Sequence, residues 1–248
     1  MVGSSMSIAK ANTVINTTVA ESLRIFADEL GNAPDFNAAL HTLIKNTIKE
    51  HKRIVFNGNG YDDEWVHEAE SRGLLNLNTT PDALTYMLSD KNVALYERHK
   101  VFSQAELRSR FEISLENYCT LCNIEAVTMY KLIKKNILYV ATSYAGELGQ
   151  AASAKLALVP EVDCTYERDT VRRVSEISAG LHKKVAELFE LLCEAEEKEN
   201  VLERAFYFKE TVLVKMEELR GLTDELELLV ARKHWPFPTY GDLLFSVR

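Results

Sequence analysis

Val171-Arg-Arg-Val-Ser-Glu-Ile-Ser-Ala-Gly-Leu-His-Lys-Lys-Val-Ala-Glu-Leu-Phe-Glu-Leu-Leu-Cys-Glu-Ala195 is the stretch that decides the fold. Val171, Val174, Leu181, Val185, Leu188, Leu192 and Ala195 recur at close to a seven-residue spacing with charges between them, the pattern of a helix that buries one stripe against another helix. From Leu202 the spacing returns at Ala205, Val212, Met216, Leu219, Leu226 and Val230, and Glu199-Asn200 supplies a polar turn between the arms. Residues 161–234 are therefore expected to form an antiparallel, coiled-coil-like helical hairpin, roughly 50 Å long at 1.5 Å per residue. Ser178, Lys209 and Thr223 fall on the seam and read as solvated gaps in it, and the acidic cluster Glu194, Glu196, Glu197 and Glu199 reads as a solvated tip.

Upstream, Ser103 and Glu106 make a Ser-x-x-Glu capping box, and a helical pattern follows from Leu107 through Phe111, Leu115, Tyr118, Val127 and Ile137 to Leu158, before Pro160. Unbroken, it is a central helix roughly 80 Å long, with Gly146 and Gly149 the positions open to a bend. Before it lie shorter pieces. Asn57-Gly-Asn-Gly60 is a turn, lacking the third glycine and the strand-to-helix context of a nucleotide loop. Asp62 caps a helix to Arg72 with Gly73 beyond, and Thr80-Pro81 starts another through Tyr86 and Leu88. Phe36, Leu40, Leu43, Ile44 and Ile48 form one face of a helix from Asp35, and Val14, Ile15, Val19, Leu23, Phe26 and Leu30 one of a helix stopped by Gly31. The fold class expected is all-α. Its divisions are residues 1–30, a helical domain with the long helix over 31–160, the hairpin over 161–234 and a tail over 235–248.

That tail, Trp235-Pro-Phe-Pro-Thr-Tyr-Gly-Asp-Leu-Leu-Phe-Ser-Val-Arg248, is extended, aromatic and too apolar for a disordered end. It is expected to dock, on this chain or another, with Trp235, Phe237, Tyr240, Leu244 and Phe245 as its interface anchors.

The 248 residues carry a net charge of −8 with no basic stripe, which argues against a nucleic-acid partner. No apolar run approaches the roughly 20 residues of a membrane span, and no leader pattern opens the chain, so a cytoplasmic location is expected. Cys119 and Cys122 form a Cys-x-x-Cys pair without a second pair at zinc spacing, and read best as small buried hydrophobes. The six histidines are scattered, and Glu112 with Glu116 lacks the Glu-x-x-His partners of a bundle metal site. No Gly-x-Ser-x-Gly elbow, phosphate loop or His-Glu-x-x-His occurs, so no catalytic, cofactor-binding or metal residue is assigned.

Trp235-Pro-Phe-Pro-Thr-Tyr-Gly-Asp-Leu-Leu-Phe245 resembles the C-terminal signature of type III glutamine synthetase. Met1-Val-Gly-Ser-Ser-Met-Ser-Ile-Ala9, Ile48-Lys-Glu-His-Lys-Arg-Ile-Val-Phe-Asn-Gly-Asn-Gly-Tyr61, Arg72-Gly-Leu-Leu-Asn-Leu77, Asn117-Tyr118, Asn123-Ile-Glu-Ala126 and Met216-Glu-Glu-Leu-Arg220 resemble the same family in the same order. The resemblance spans the chain but only the C-terminal part of a longer polypeptide. It implies that residues 1–30 end the catalytic domain and that the rest is a helical extension. The family uses ATP and Mg or Mn to make γ-glutamyl phosphate, which ammonia attacks, at sites shared between subunits of a ring. Those motifs lie upstream of what corresponds to Met1, so this chain alone is expected to be structural, packing on its own catalytic domain and supporting the homo-oligomer. Lys10-Ala11 departs from the family's Gly-Pro, and Cys122 from an aliphatic residue. Two alternatives stay open: a free-standing helical interaction module using the hairpin, and a small metal or redox protein using Cys119 and Cys122.

Overall fold

The computed structural model describes residues 7–238 and 240–245, Tyr240 by its backbone alone. Those residues form helices and connecting turns, with no strand among them. The chain divides into two compact units, Met1–Ser114 and Leu115–Arg248.

In the first unit α1 (Ala9–Gly31) packs against α2 (Phe36–His51) and α5 (Asp90–Arg98). Lys10, at the departure from the family pattern, lies within α1, where its Nζ donates to Ser114 Oγ at 2.7 Å. Asp35 caps α2 by accepting from the Ala38 N–H at 3.1 Å. The helix α3 (Asp63–Ser71) ends in a Schellman turn: Gly73, at φ +73°, donates to Glu70 O and Leu74 donates to Ala69 O, both at 2.9 Å. In α4 (Thr80–Thr85) the cap falls at Thr79, one residue before the expected Thr80, so Pro81 is the second helical residue. The α5 helix has too few apolar residues to make a period, and sequence reading passed over it.

The expected capping box opens α6 (Gln104–Leu132): the Ser103 N–H donates to Glu106 Oε2 at 2.8 Å, and the Glu106 N–H donates back to Ser103 Oγ at 3.3 Å. The boundary between the units lies within this helix. The long helical run is interrupted by a π-turn at Ile133–Ile137, after which α7 (Leu138–Leu158) continues regularly through Gly146 and Gly149. The irregularity is thus nine residues or more from the glycines that sequence reading offered for a bend.

In the second unit α8 (Thr165–Glu196) packs on α7 along one side. Along the other it packs on the returning arm, built of α9 (Val201–Tyr207), a π-turn at Phe208–Val212 and α10 (Leu213–Leu229). Val174, Leu181, Val185, Leu188, Leu192 and Ala195 are buried on α8, and Ala205, Val212, Leu219, Leu226 and Val230 are buried on the returning arm that packs against it. Arg173 with Glu225, Lys184 with Glu218, Glu187 with Lys215 and Glu194 with Tyr207 rise on one arm as they fall on the other, which fixes the antiparallel register. Asn200 caps α9, accepting from Leu202 and Glu203 N–H at 2.9 and 3.1 Å. Two seam positions differ from expectation. Phe208 is buried where the heptad count put Lys209, because the π-turn adds a residue to that turn, and Ile177 is buried beside Ser178. Ser178 is not a solvated gap: its Oγ is buried and finds no hydrogen-bond partner among the described residues.

Candidate interaction surfaces

The periodicity of α1 makes Ile15, Val19, Leu23, Phe26 and Leu30 its apolar side, and on an isolated fold that side belongs in the core. Phe26 and Leu30, near the end of the helix, are half-buried, but the earlier part of the stripe is not. Ile15, Val19 and Leu23 are 58%, 51% and 61% exposed, whereas Thr17, on the far side of the helix, is 4% exposed. The side turned into the unit is polar. Thr17 Oγ1 donates within the helix to Thr13 O at 2.7 Å, and Glu21, which accepts from Arg24 Nε of the same helix at 3.0 Å, joins α1 to the end of α5 through Arg98 and a contact with His99 Nε2 at 2.7 Å. With the Arg24 hydrogen bonds the largest cause and His99 next, the Glu21 carboxyl is pulled down to about 2. Ile44 and Ile48 of α2 are also half or more exposed, while Leu43 is buried. The first unit therefore offers a helical apolar surface that its described residues leave uncovered.

A second exposed feature of this unit is held rigidly. Phe56 stacks on Trp65 with centroids 4.0 Å apart, and Arg72 sits 5.5 Å over the Trp65 ring. The Arg72 Nη1 donates to the carbonyls of Arg53 and Val55 at 3.1 and 2.9 Å. A Cβ at Gly58 would lie 2.6 Å from Phe56 Cζ, so any larger residue there would push the ring from its place on Trp65. The loop so braced presents Tyr61 to solvent.

In the second unit the chain leaves α10 through buried Val230 and turns at Ala231–His234, where His234 N–H donates to Ala231 O at 2.8 Å. The His234 ring lies 5.5 Å from that of Tyr144, and its Nε2 is 3.1 Å from Glu147 Oε2, so the turn is seated on α7. Trp235 and Phe237 are half-buried and meet edge to face at 6.2 Å. Phe237 lines a groove of about 400 Å³ with Ile124, Met129 and Leu132 from α6 and Met216 and Arg220 from α10. Beyond it, α11 (Tyr240–Leu244) is tied back by an Arg232–Asp242 ion pair, and Leu244 and Phe245 are 73% and 80% exposed. Of the tail anchors read from sequence, two are thus partly covered by this chain, two face solvent, and the Tyr240 side chain lies outside the described residues.

The remaining chemistry is sparse. Cys119, Cys122 and Cys164 are buried and Cys193 is exposed. Burial pushes the Cys119 and Cys122 thiols up, away from the thiolate a redox or metal role needs. Among the described residues no three His, Cys, Asp or Glu side chains converge as a metal ion requires, and no helix is long and apolar enough to cross a membrane.

Residues 39–155, from within α2 to within α7, match the family model described as the glutamine synthetase C-terminal domain. Over 206 residues the chain is 41% identical to the glutamine synthetase of Butyrivibrio fibrisolvens, covering 83% of this chain and 29% of that protein. It is 31% identical over 255 residues to the type-3 glutamine synthetase of Dictyostelium discoideum, covering 98% of this chain and 34% of that one. The chain belongs to the glutamine synthetase family. A glutamine synthetase of Bacteroides fragilis (strain YCH46) aligns over 98% of the chain at 29% identity. The chain spans about a third of the length of these curated glutamine synthetases, 29% to 35%. The hairpin arms α8 to α10 lie beyond the C-terminal-domain match, yet the Dictyostelium and Bacteroides glutamine synthetases align with nearly the whole chain.

Proposed function

We propose that this chain is the helical, non-catalytic C-terminal region of a type III glutamine synthetase, and that it packs on the catalytic portion of the same polypeptide and supports a ring-shaped homo-oligomer. The observation that carries this reading is the reversed polarity of α1, with Ile15, Val19 and Leu23 outward and Thr17 inward. Covering each of those half-exposed side chains is worth about 1 kcal/mol, which favours a partner that brings an apolar surface. Relatives about three times as long supply a source for it within one polypeptide. The tail would add Trp235, Phe237, Tyr240, Leu244 and Phe245 to the assembly contacts.

The reaction proposed for the whole polypeptide joins ammonia to glutamate, with ATP and divalent metal ions supplying the phosphoryl activation. The described residues of this chain do not fit that metal, for no three carboxylate, imidazole or thiol side chains converge among them, and no step is assigned to them. The test is a full-length polypeptide carrying this region, assayed for ATP-dependent glutamine formation and native mass. Val19→Glu should lower both while leaving the isolated chain folded. Indifference of activity and mass to that change would return the reading to a free-standing helical module.

A further inference from the structure

The groove lined by Phe237 has a composition that suits one kind of occupant. On α6 the side chains of Leu121, Ile124, Thr128 and Leu132 succeed one another at three- and four-residue steps and stand out as an apolar ridge, with Leu121 and Ile124 51% and 57% exposed. Ile124, Thr128 and Leu132 of this ridge form one wall of the groove, and α10 forms the other, through Met216, Arg220 and Thr223. Each wall carries one charge at the rim, Glu125 on α6 and Arg220 on α10. The Arg220 side chain is 62% exposed and among the described residues makes a single long contact, 3.5 Å to Asp224, so its guanidinium is open to a further carboxylate.

We propose that this groove is a homotypic docking surface, which receives the α6 ridge of a second copy of this chain about a twofold axis. A twofold contact is self-complementary only if the surface carries its own counterpart. Here the ridge and the groove are neighbours on one helix. The rims are of opposite sign, so a ridge laid into the groove sets Glu125 of each copy against Arg220 of the other, and the same pair forms twice. A partner of uniform charge would satisfy one rim and repel the other. The flexible side chains of Met129 and Met216 let the groove close on a ridge as irregular as Leu121, Ile124, Thr128 and Leu132. The proposal rests on the oligomer reading above and names a surface for it.

The test uses the 248-residue chain with Ile15→Glu and Val19→Glu, so that association through α1 is removed and failure at the groove stays separable from failure at α1. Sedimentation equilibrium should give a dimer. Ile124→Glu, or Leu121→Glu as a second exposed position, should yield a monomer with unchanged circular dichroism. Glu125→Arg and Arg220→Glu should each raise the dissociation constant about tenfold, and the two together should restore it. A chain that stays monomeric, or a dimer that ignores Ile124→Glu, or single reversals that the pair does not rescue, would overturn the proposal.

Discussion

His99 Nε2, at the C-terminal end of α5, lies 2.7 Å from Glu21 Oε2 on α1, and Arg24 and Arg98 hold the same carboxylate. This cluster clasps the polar side of α1 to the unit. The Glu21 carboxyl falls from 4.5 to about 2, so it contributes stability that is whole above pH 4.5 and is lost as the pH drops toward 2. Glu21→Gln should therefore lower the melting temperature at neutral pH and flatten the acid limb between pH 4.5 and 2. A variant whose acid limb matches the parent's would show the clasp to be idle.

The outward stripe of α1 makes a contrasting prediction for the isolated chain. Because Val19 is half exposed, Val19→Glu should change stability by no more than about 0.5 kcal/mol and reduce binding of an apolar dye. Thr17→Glu, on the buried side, should destabilise by about 1–3 kcal/mol. Urea denaturation of the pair reads both, and equal effects would contradict the orientation of α1.

The hairpin seam should behave as a packed core. Leu188, fully buried on α8, should cost about 2–5 kcal/mol on replacement by alanine, whereas Leu228→Ala on α10, at 87% exposure, should cost less than about 0.5. Chemical denaturation monitored by far-ultraviolet dichroism separates the two.

Lys100 ends α5 at φ +53°, donating to Glu97 O at 3.0 Å in the same turn that Gly73 makes after α3. A lysine in this left-handed region costs more than a glycine. Lys100→Gly should stabilise the chain by about 0.5–1 kcal/mol, seen as a raised denaturation midpoint with an unchanged slope. A lowered midpoint would mean that the lysine side chain itself contributes.

The parts legible in advance were those in which neighbours along the chain carry the signal. Ser103 and Glu106 cap α6 through side chains three residues apart, and the seven-residue spacing of Val174, Leu181, Val185 and Leu188 names both a helix and the side it buries. The helix α5 was not legible, for nine residues with Val93, Leu95 and Tyr96 among charges make no period. Nor was the exchange of Lys209 for Phe208. A π-turn shifts which residue meets the seam without changing the composition of the stretch, and here the turn lies against α8.

By itself the sequence determined that the chain is all-α, where most helices begin and end, and that a paired hairpin and an apolar tail belong to it. Caps, prolines and apolar periods act over a few residues, so they are complete within the chain. The tertiary structure alone decided that α1 turns Thr17 and Glu21 inward and Ile15, Val19 and Leu23 outward, and that Phe237 enters a groove beyond which Leu244 and Phe245 stand clear. A period tells that a helix has an apolar side. Whether that side meets its own core or waits for another surface depends on contacts between residues far apart in the chain, such as Glu21 with Arg98 and His99.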